Sequence, residues 1–389
     1  MSDTTHRVGT GLRRFFAIVP LANKYPALHG LRLIAIILVV QVHVSHEARI
    51  PRHLWKISQD LWWGMDFFFI MSGFLIGTIL LRMPALTTRS AFRFYLQRSL
   101  RLFPAYYVAY FAIVYFRADP FPPLSSLWRD LVFVTNYFGS SYMHWNWSLS
   151  LEEHFYLIVP GVITSLMAVR SHRGRIAILL ALFLLAPAIR LYVVSQHDQM
   201  GVRFFFRQIF IRTHMRFDIL VVGVLMAYLV HYFPDRMRSL METKARRWTA
   251  LALVLAIYGT IIWKFDLLMK HDMSNWYWGA ISAGFLTGIG GSIITVWGIY
   301  GSGFFHRILS STATRYVATL GYGVYLFHLL VVKKITNGLI ENVPFTGNLD
   351  FLGHWLAGLT ATLLISYVFA YALHLLVEKP SLYLRRRLT

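Results

Sequence analysis

The sequence predicts an all-α integral membrane protein, a bundle of about ten transmembrane helices with both termini cytoplasmic. Three observations lead there. Only 14% of the 389 residues are charged while 57% are hydrophobic, whereas soluble domains run near a quarter charged. Apolar windows of about twenty residues, the length that crosses a bilayer, recur ten times along the chain. Lys and Arg also fall unevenly between the windows, as they do on the two sides of a membrane.

The windows lie at 31–48, 62–81, 100–116, 149–169, 176–194, 216–233, 249–265, 279–299, 316–333 and 352–377. The first is not a cleavable signal: about thirty residues precede it, a small-residue cleavage site is lacking, and many spans follow. With the N terminus inside, the inner segments hold 23 basic residues, among them Arg7, Arg13 and Arg14. The outer segments hold 12, among them Arg49, Arg52, Lys56 and Lys270. An even number of spans returns the C terminus to the same side. The formal charge of +21 fits loops that meet anionic lipid, and no hydrophilic domain exists to present it to nucleic acid. Residues 1–389 read as one domain, with a short N-terminal segment, a basic tail and no appended soluble domain. The absence of cysteine excludes disulfides, thiolate metal ligands and a cysteine nucleophile, and no metal site is expected.

A charge inside a span costs about 2.5–3.5 kcal/mol on insertion scales and usually faces a cavity. The charged residues of each window therefore mark candidate sites. In "LRLIAIILVVQVHVSH" (Leu31 to His46), Arg32 and His43 are eleven residues apart. A helix of that length advances about 16 Å and ends within roughly 20° of three full turns. Both side chains lie on one face, Arg32 near the inner end and His43 near the outer. A snorkelling arginine and an interfacial histidine are the plain alternative; the shared stripe favours function. Asp66 opens the second window in "WWGMDFFFIMSGFL", at outer depth, as a helix cap or as part of a site.

The third window starts at "RSLRLFP", where Arg98 and Arg101 stand one turn apart. Two guanidiniums at that spacing form a fork suited to phosphate oxygens, positive-inside decoration being the alternative. The fourth opens with "WNWSLSLEEHFYL". Glu152 and Glu153 are its only acids, and Ser148 shares a face with Glu152 at i, i+4. Solubility explains two adjacent carboxylates above an apolar run poorly. Asp218, in "RTHMRFDIL", has Arg216 and His214 near enough in sequence to pair with it. By depth, His43, Asp66 and Glu152 group near the outer surface, and Arg32, Arg98 and Arg101 near the inner. Such a layout suits a reaction between a cytoplasmic anionic donor and an acceptor on the far side. The outer loop 117–146 brings Tyr142 and Trp145, with Trp147 just after it, which stack on sugar rings or form an aromatic belt. "RFFFRQIFIR" (Arg203 to Arg212) reads as an interfacial amphipathic helix.

Taken in order, these segments resemble the acyltransferase-3 family, bacterial integral-membrane O-acyltransferases. The ten residues between Arg32 and His43 match its first-span signature. "FFFIMSGFLI", "RSLRLFP" and "WSLSLEEHFYL" resemble its next three motifs, and "LGYGVYLFHLL" and "EKP" its last two. His29 replaces a frequent acid, His154 a usual glutamine, and Leu329–Leu330 a position where proline often stands. The resemblance implies transfer of an acyl group, commonly acetyl, from acyl-CoA to a hydroxyl of an extracytoplasmic glycan or glycolipid. It also implies a multi-pass protein of the bacterial inner membrane, with no permanently bound cofactor and the lipid bilayer, acyl-CoA and glycan as its partners. On it, His43 is a general base, since imidazole titrates near neutrality. Glu152 would orient that ring, with Asp66 a second candidate. Arg98 and Arg101 would hold the nucleotide phosphates and Arg32 line the passage between. Ser148, Glu153, Trp147 and His328 would support the site. Direct transfer and an acyl-histidine intermediate both remain open. The competing class is a transporter or exporter whose buried His and acids relay protons; it needs no phosphate fork.

Overall fold

The computed structural model describes residues 16–20, 24–47, 60–83, 87–118, 120–140, 142–265, 272–342 and 350–388. Arg7, Arg13, Arg14, Arg49, Arg52, Lys56 and Lys270 lie outside the described residues. Among those described there are helices and turns but no strand. The main helices are α1 (Pro26–Glu47), α2 (Gly64–Leu80), α3 (Thr88–Arg117), α4 (Trp147–Ala168), α5 (His172–Ser195), α6 (Asp218–Tyr232) and α7 (Lys244–Lys264). They continue as α8 (Met273–Ile281), α9 (Thr287–Tyr300), α10 (Thr312–Thr319), α11 (Gly321–Asn342), α12 (Asp350–Leu373) and α13 (Lys379–Leu388).

Among the described residues seven helical stretches are long and apolar enough to cross a membrane, and an eighth forms if α10 and α11, bent by 54°, count as one. The protein is thus a multi-pass membrane protein. The expected count of ten exceeds this, and each of the two shortfalls has a physical reason. The fourth window is helical as α4, but Glu152, Glu153 and His154 interrupt its apolar run. The sixth is α6, only 15 residues long and therefore about 22 Å against a hydrocarbon core of about 30 Å. Ten of its fifteen residues are buried, so it need not face lipid along its length.

The tightest pairing joins α2 to α6, and small residues permit it. A Cβ placed on Gly73 would stand 2.1 Å from the Leu220 carbonyl oxygen, and one on Gly223 would stand 2.3 Å from that of Ile70. Gly77, four residues after Gly73, faces Ala227 in the same way. Membrane helices associate through such close approach because lipid tails leave no hydrophobic drive between them.

The eighth window is not one straight helix. Between α8 and α9 the chain makes a π-helical turn, Ser282–Leu286, with Ala283 at ψ 99° and Gly284 at φ 92°. Positive φ suits glycine, and a Cβ there would meet the Asp218 carboxylate at 2.5 Å. The break frees backbone groups that lipid cannot satisfy. Arg190 Nε donates to the Ala280 carbonyl at 2.7 Å, and the Gly284 N–H donates to Thr287 Oγ1 at 3.1 Å.

The segment expected to lie as an amphipathic helix in the interface is amphipathic but packs on protein. Phe205, Ile209 and Phe210 are buried, with Phe205 stacked on Trp276 at 5.1 Å and Phe210 against Trp62 at the same separation.

Overpacking the α2–α6 crossing should cost about 1–3 kcal/mol. Gly73→Ala and Gly223→Ala are expected to lower the thermal midpoint of detergent-purified protein. Gly161→Ala, where an added Cβ meets nothing within 4 Å, should leave it unchanged.

Candidate functional site

A cavity of about 520 Å³ opens between α1, α2, α3, α4, α11 and the last helices. Arg32, Arg98 and Arg101 all line it, together with Glu152 and Ser148. The spacing read from sequence holds in space: Arg98 and Arg101 share one face of α3, and Ser148, Glu152 and Tyr156 one face of α4. Glu152 is held by two hydroxyls. Ser72 donates to Oε1 at 2.6 Å and Tyr156 donates to Oε2 at 2.9 Å. The Tyr156 ring also lies 3.9 Å beneath the Arg98 guanidinium, a cation–π contact that fixes the arginine's direction. Arg32 has Glu152 and Tyr156 as electrostatic neighbours. His29 lines the cavity one turn before Arg32. Glu153 points elsewhere on α4; its charged neighbours are Arg98 and Glu152.

The far end of the cavity is formed by Ser148 and Tyr325, whose hydroxyls are hydrogen-bonded to each other. Tyr325 donates to the Trp145 carbonyl at 2.8 Å. Beyond it stands a pair of imidazoles. His328 is fully buried, 5.5 Å from the Tyr325 ring and 5.2 Å from the His43 ring, centroid to centroid. Nδ1 of His328 lies 2.6 Å from the Tyr325 carbonyl, an acceptor, so Nδ1 carries the proton and Nε2 is left as an acceptor. Among the described residues Nε2 has no hydrogen-bond partner. A cationic chamber is therefore walled by Ser148 and Tyr325, and the two adjacent histidines pack behind Tyr325 without lining it.

Two placements differ from the reading by depth. Glu152 belongs with the arginines of the cavity. Asp66 is in neither group. It is 1% exposed and sits in an ion pair with Arg216, and it also accepts the Thr287 hydroxyl. It does not cap α2 either, since the N-cap is Trp63 and no side chain caps that end. Asp218 pairs with Arg190 at 2.8 Å, not with Arg216 or His214, while His214 Nδ1 lies 3.0 Å from the Tyr137 hydroxyl. Helical rotation explains the exchange: residues two apart on a turn face away from each other, so each takes a partner from another helix. Trp147 is buried against Phe69 and Phe210, and Trp145 against His328, so these two rings are occupied by protein rather than open to a sugar. Among the described residues no group of three His, Asp or Glu side chains converges as a metal site.

Sequence reading passed over Ser72, Tyr156 and Tyr325. All three carried a signal: Tyr156 stands one turn after Glu152 in the same motif, and Ser72 and Tyr325 lie within "FFFIMSGFLI" and "LGYGVYLFHLL".

Removing one partner of a fully buried ion pair costs about 3–5 kcal/mol. Asp66→Ala should therefore depress expression and thermal midpoint sharply, and Asp66→Ala/Arg216→Met should recover part of the loss. A variant with a normal melt but lost activity would instead place Asp66 in the chemistry.

The comparisons with known proteins agree with this architecture. The family model described as an acyltransferase domain matches residues 25–371. A relative in Listeria monocytogenes named peptidoglycan O-acetyltransferase is 26% identical over 339 residues, covering 81% of this chain and 50% of the relative. "Putative peptidoglycan O-acetyltransferase" of Bacillus subtilis is 26% identical over 336 residues, covering 80% and 49% respectively. An O-acetyltransferase so named, as putative, in Staphylococcus aureus is 23% identical, covering 81% and 52%. The chain thus spans about half the length of the curated relatives it matches. No solved structure matches it. With the motifs in order, the helices that carry them around one cationic cavity, and the model match across most of its length, the chain belongs to the acyltransferase-3 family.

Proposed function

We propose that the chain transfers an acyl group, most simply acetyl, from cytoplasmic acyl-CoA to a hydroxyl of an extracytoplasmic glycan. The supporting observation is the arginine cavity, whose Tyr325 wall packs on His328 and, through it, on His43. A thioester whose nucleotide end rests on Arg98 and Arg101 extends past Arg32 and Glu152 towards Ser148, Tyr325 and His43. The span from Arg32 to His43, about 16 Å of helix, suits an extended pantetheine arm. The relatives' names favour a peptidoglycan-type or similar surface polysaccharide as acceptor. The excess of basic residues in alternate loops supports both termini in the cytoplasm, with the protein in a bacterial inner membrane.

His43 removes the acceptor's hydroxyl proton as its oxygen attacks the thioester carbon. The tetrahedral intermediate collapses with loss of the C–S bond. The leaving sulfur takes the proton back from the imidazolium, giving coenzyme A thiol and the ester. His328, held in one tautomer by the Tyr325 carbonyl, packs against His43 and supports its orientation. Glu152 balances the arginines and the positive charge that develops on the imidazole. The Ser148 and Tyr325 hydroxyls line the path of the thioester, and one of them donates to its carbonyl on releasing the Trp145 carbonyl that it now serves. Transfer in one step or through an acyl-histidine uses the same residues. Asp66 is structural in this scheme. A proton-relay transporter is not favoured, because it gives the arginine fork and the family membership no role.

His43→Ala is expected to lower turnover by at least about 10²-fold, the scale of general-base loss, with an unchanged thermal midpoint. Radiolabelled acetyl-CoA and peptidoglycan fragments in proteoliposomes provide the assay. Wild-type acetylation by the variant would sink the scheme, and substrate movement across the vesicle without acyl transfer would revive the transporter.

A further inference from the structure

The inner rim of the cavity is built from both ends of the described chain. Tyr371 donates its hydroxyl to the Phe16 carbonyl at 2.6 Å, and the Val19 N–H donates to His374 Nε2 at 3.1 Å. Lys379 Nζ donates to the Ala17 carbonyl at 2.8 Å. A π-helical turn, His374–Glu378, joins α12 to α13, with His374 Nδ1 and Glu378 Oε2 2.7 Å apart. These ties dock α13 against α3, the helix that carries Arg98 and Arg101.

Docked in this way, α13 turns one face to the cavity. Glu378, Leu382, Arg385 and Arg386 line it, whereas Arg387 does not. The spacing i, i+4, i+7, i+8 is a single helical stripe, and Arg387 lies about 100° further round. Arg385 is an electrostatic neighbour of Arg98, and Arg101 of Arg98, Arg32 and Arg385. Guanidiniums gathered on one wall repel, and among the described residues the acids lining the cavity are Glu378 and Glu152. The cluster is therefore matched to an anion bearing more than one phosphate group. A fork at Arg98 and Arg101 is enough for a diphosphate. Coenzyme A carries a further phosphate on its ribose 3′ position, at the nucleotide end that stays nearest the inner rim.

We propose that α13 forms a second phosphate subsite, in which Arg385 and Arg386 hold the ribose 3′-phosphate of the donor while Arg98 and Arg101 hold its diphosphate. This rests on the acyl-CoA reading above. A basic C-terminal helix also suits an anionic lipid surface, but lipid contact would not select the two arginines that face the cavity over the one that does not.

Calorimetric binding of acetyl-CoA and acetyl-3′-dephospho-CoA to the purified full chain tests it without an acceptor, in neutral phosphatidylcholine vesicles and in vesicles containing phosphatidylglycerol. Wild type should bind the dephospho donor about tenfold more weakly, the scale of a lost charge-assisted contact. Arg385→Gln/Arg386→Gln should weaken acetyl-CoA by a similar factor, leave the dephospho donor unchanged and bring the ratio near one in both vesicles. Arg387→Gln should keep the wild-type ratio, and Arg98→Gln should weaken both donors. Equal wild-type affinity for the two donors would overturn the subsite and leave the acyl-CoA reading standing. So would a double variant that keeps the ratio, weakens both donors alike, or differs from wild type only with anionic lipid. Wild type that binds neither donor would overturn both.

Discussion

A charge inside a bilayer has no water to solvate it, and this constraint organises the protein. Four fully buried charges, Asp66, Arg190, Arg216 and Asp218, cancel in two ion pairs that bridge α2, α5, α6 and the segment leading into α6. Arg190 also donates to backbone carbonyls at Met215 and Ala280. The pairs sit where the helix between Met273 and Tyr300 breaks. The break is stable because these side chains, with Thr287, replace the backbone partners it loses. Small residues along α2 and α6 then bring the helices carrying Asp66 and Asp218 close enough for the network to close. Packing and electrostatics here are one arrangement: neither the crossing nor the pairing forms without the other.

The cavity applies the same constraint with the opposite outcome. Among the described residues that line it, arginines outnumber acids, an excess of positive charge that an anionic ligand would complete. The two carboxylates that line it are restrained: Ser72 and Tyr156 fix Glu152, with Tyr156 also supporting Arg98, and Glu378 is held by His374. The polar chain through Ser148 and Tyr325 ends at an imidazole whose tautomer is set by a backbone carbonyl. Glu152, Arg98 and Ser148 are thus each oriented by a group from a different helix, Ser72, Tyr156 and Tyr325 respectively, which is preorganisation of the kind acyl transfer uses.

Much of this was legible in the sequence because helix geometry is local. Counting residues placed Arg32 and His43 on one face, Arg98 and Arg101 on another, and Ser148 with Glu152 on a third, and all three pairings follow from 3.6 residues per turn. The ordered motifs identified the family. The misplacements are equally instructive. Asp66 and Glu152 were grouped by depth along their helices, but depth does not say which way a side chain faces. Asp218 was offered near neighbours in sequence and took Arg190 instead. Arg385 and Arg386 looked like a basic tail, and nothing local marks the bend and the docking contacts that turn them onto the cavity wall.

The sequence by itself determined that the chain is helical and membrane-embedded, which residues share a helical face, and which family its motifs belong to. These properties depend on composition and short periodicities. Only the tertiary structure decided which charges neutralise each other and which remain for a ligand. It also set Tyr325 and His328 beside His43 and folded both ends of the described chain around the cavity mouth. The reason is that such contacts join residues tens to hundreds of positions apart, and they are set by helix rotation and close packing, which no single helix encodes.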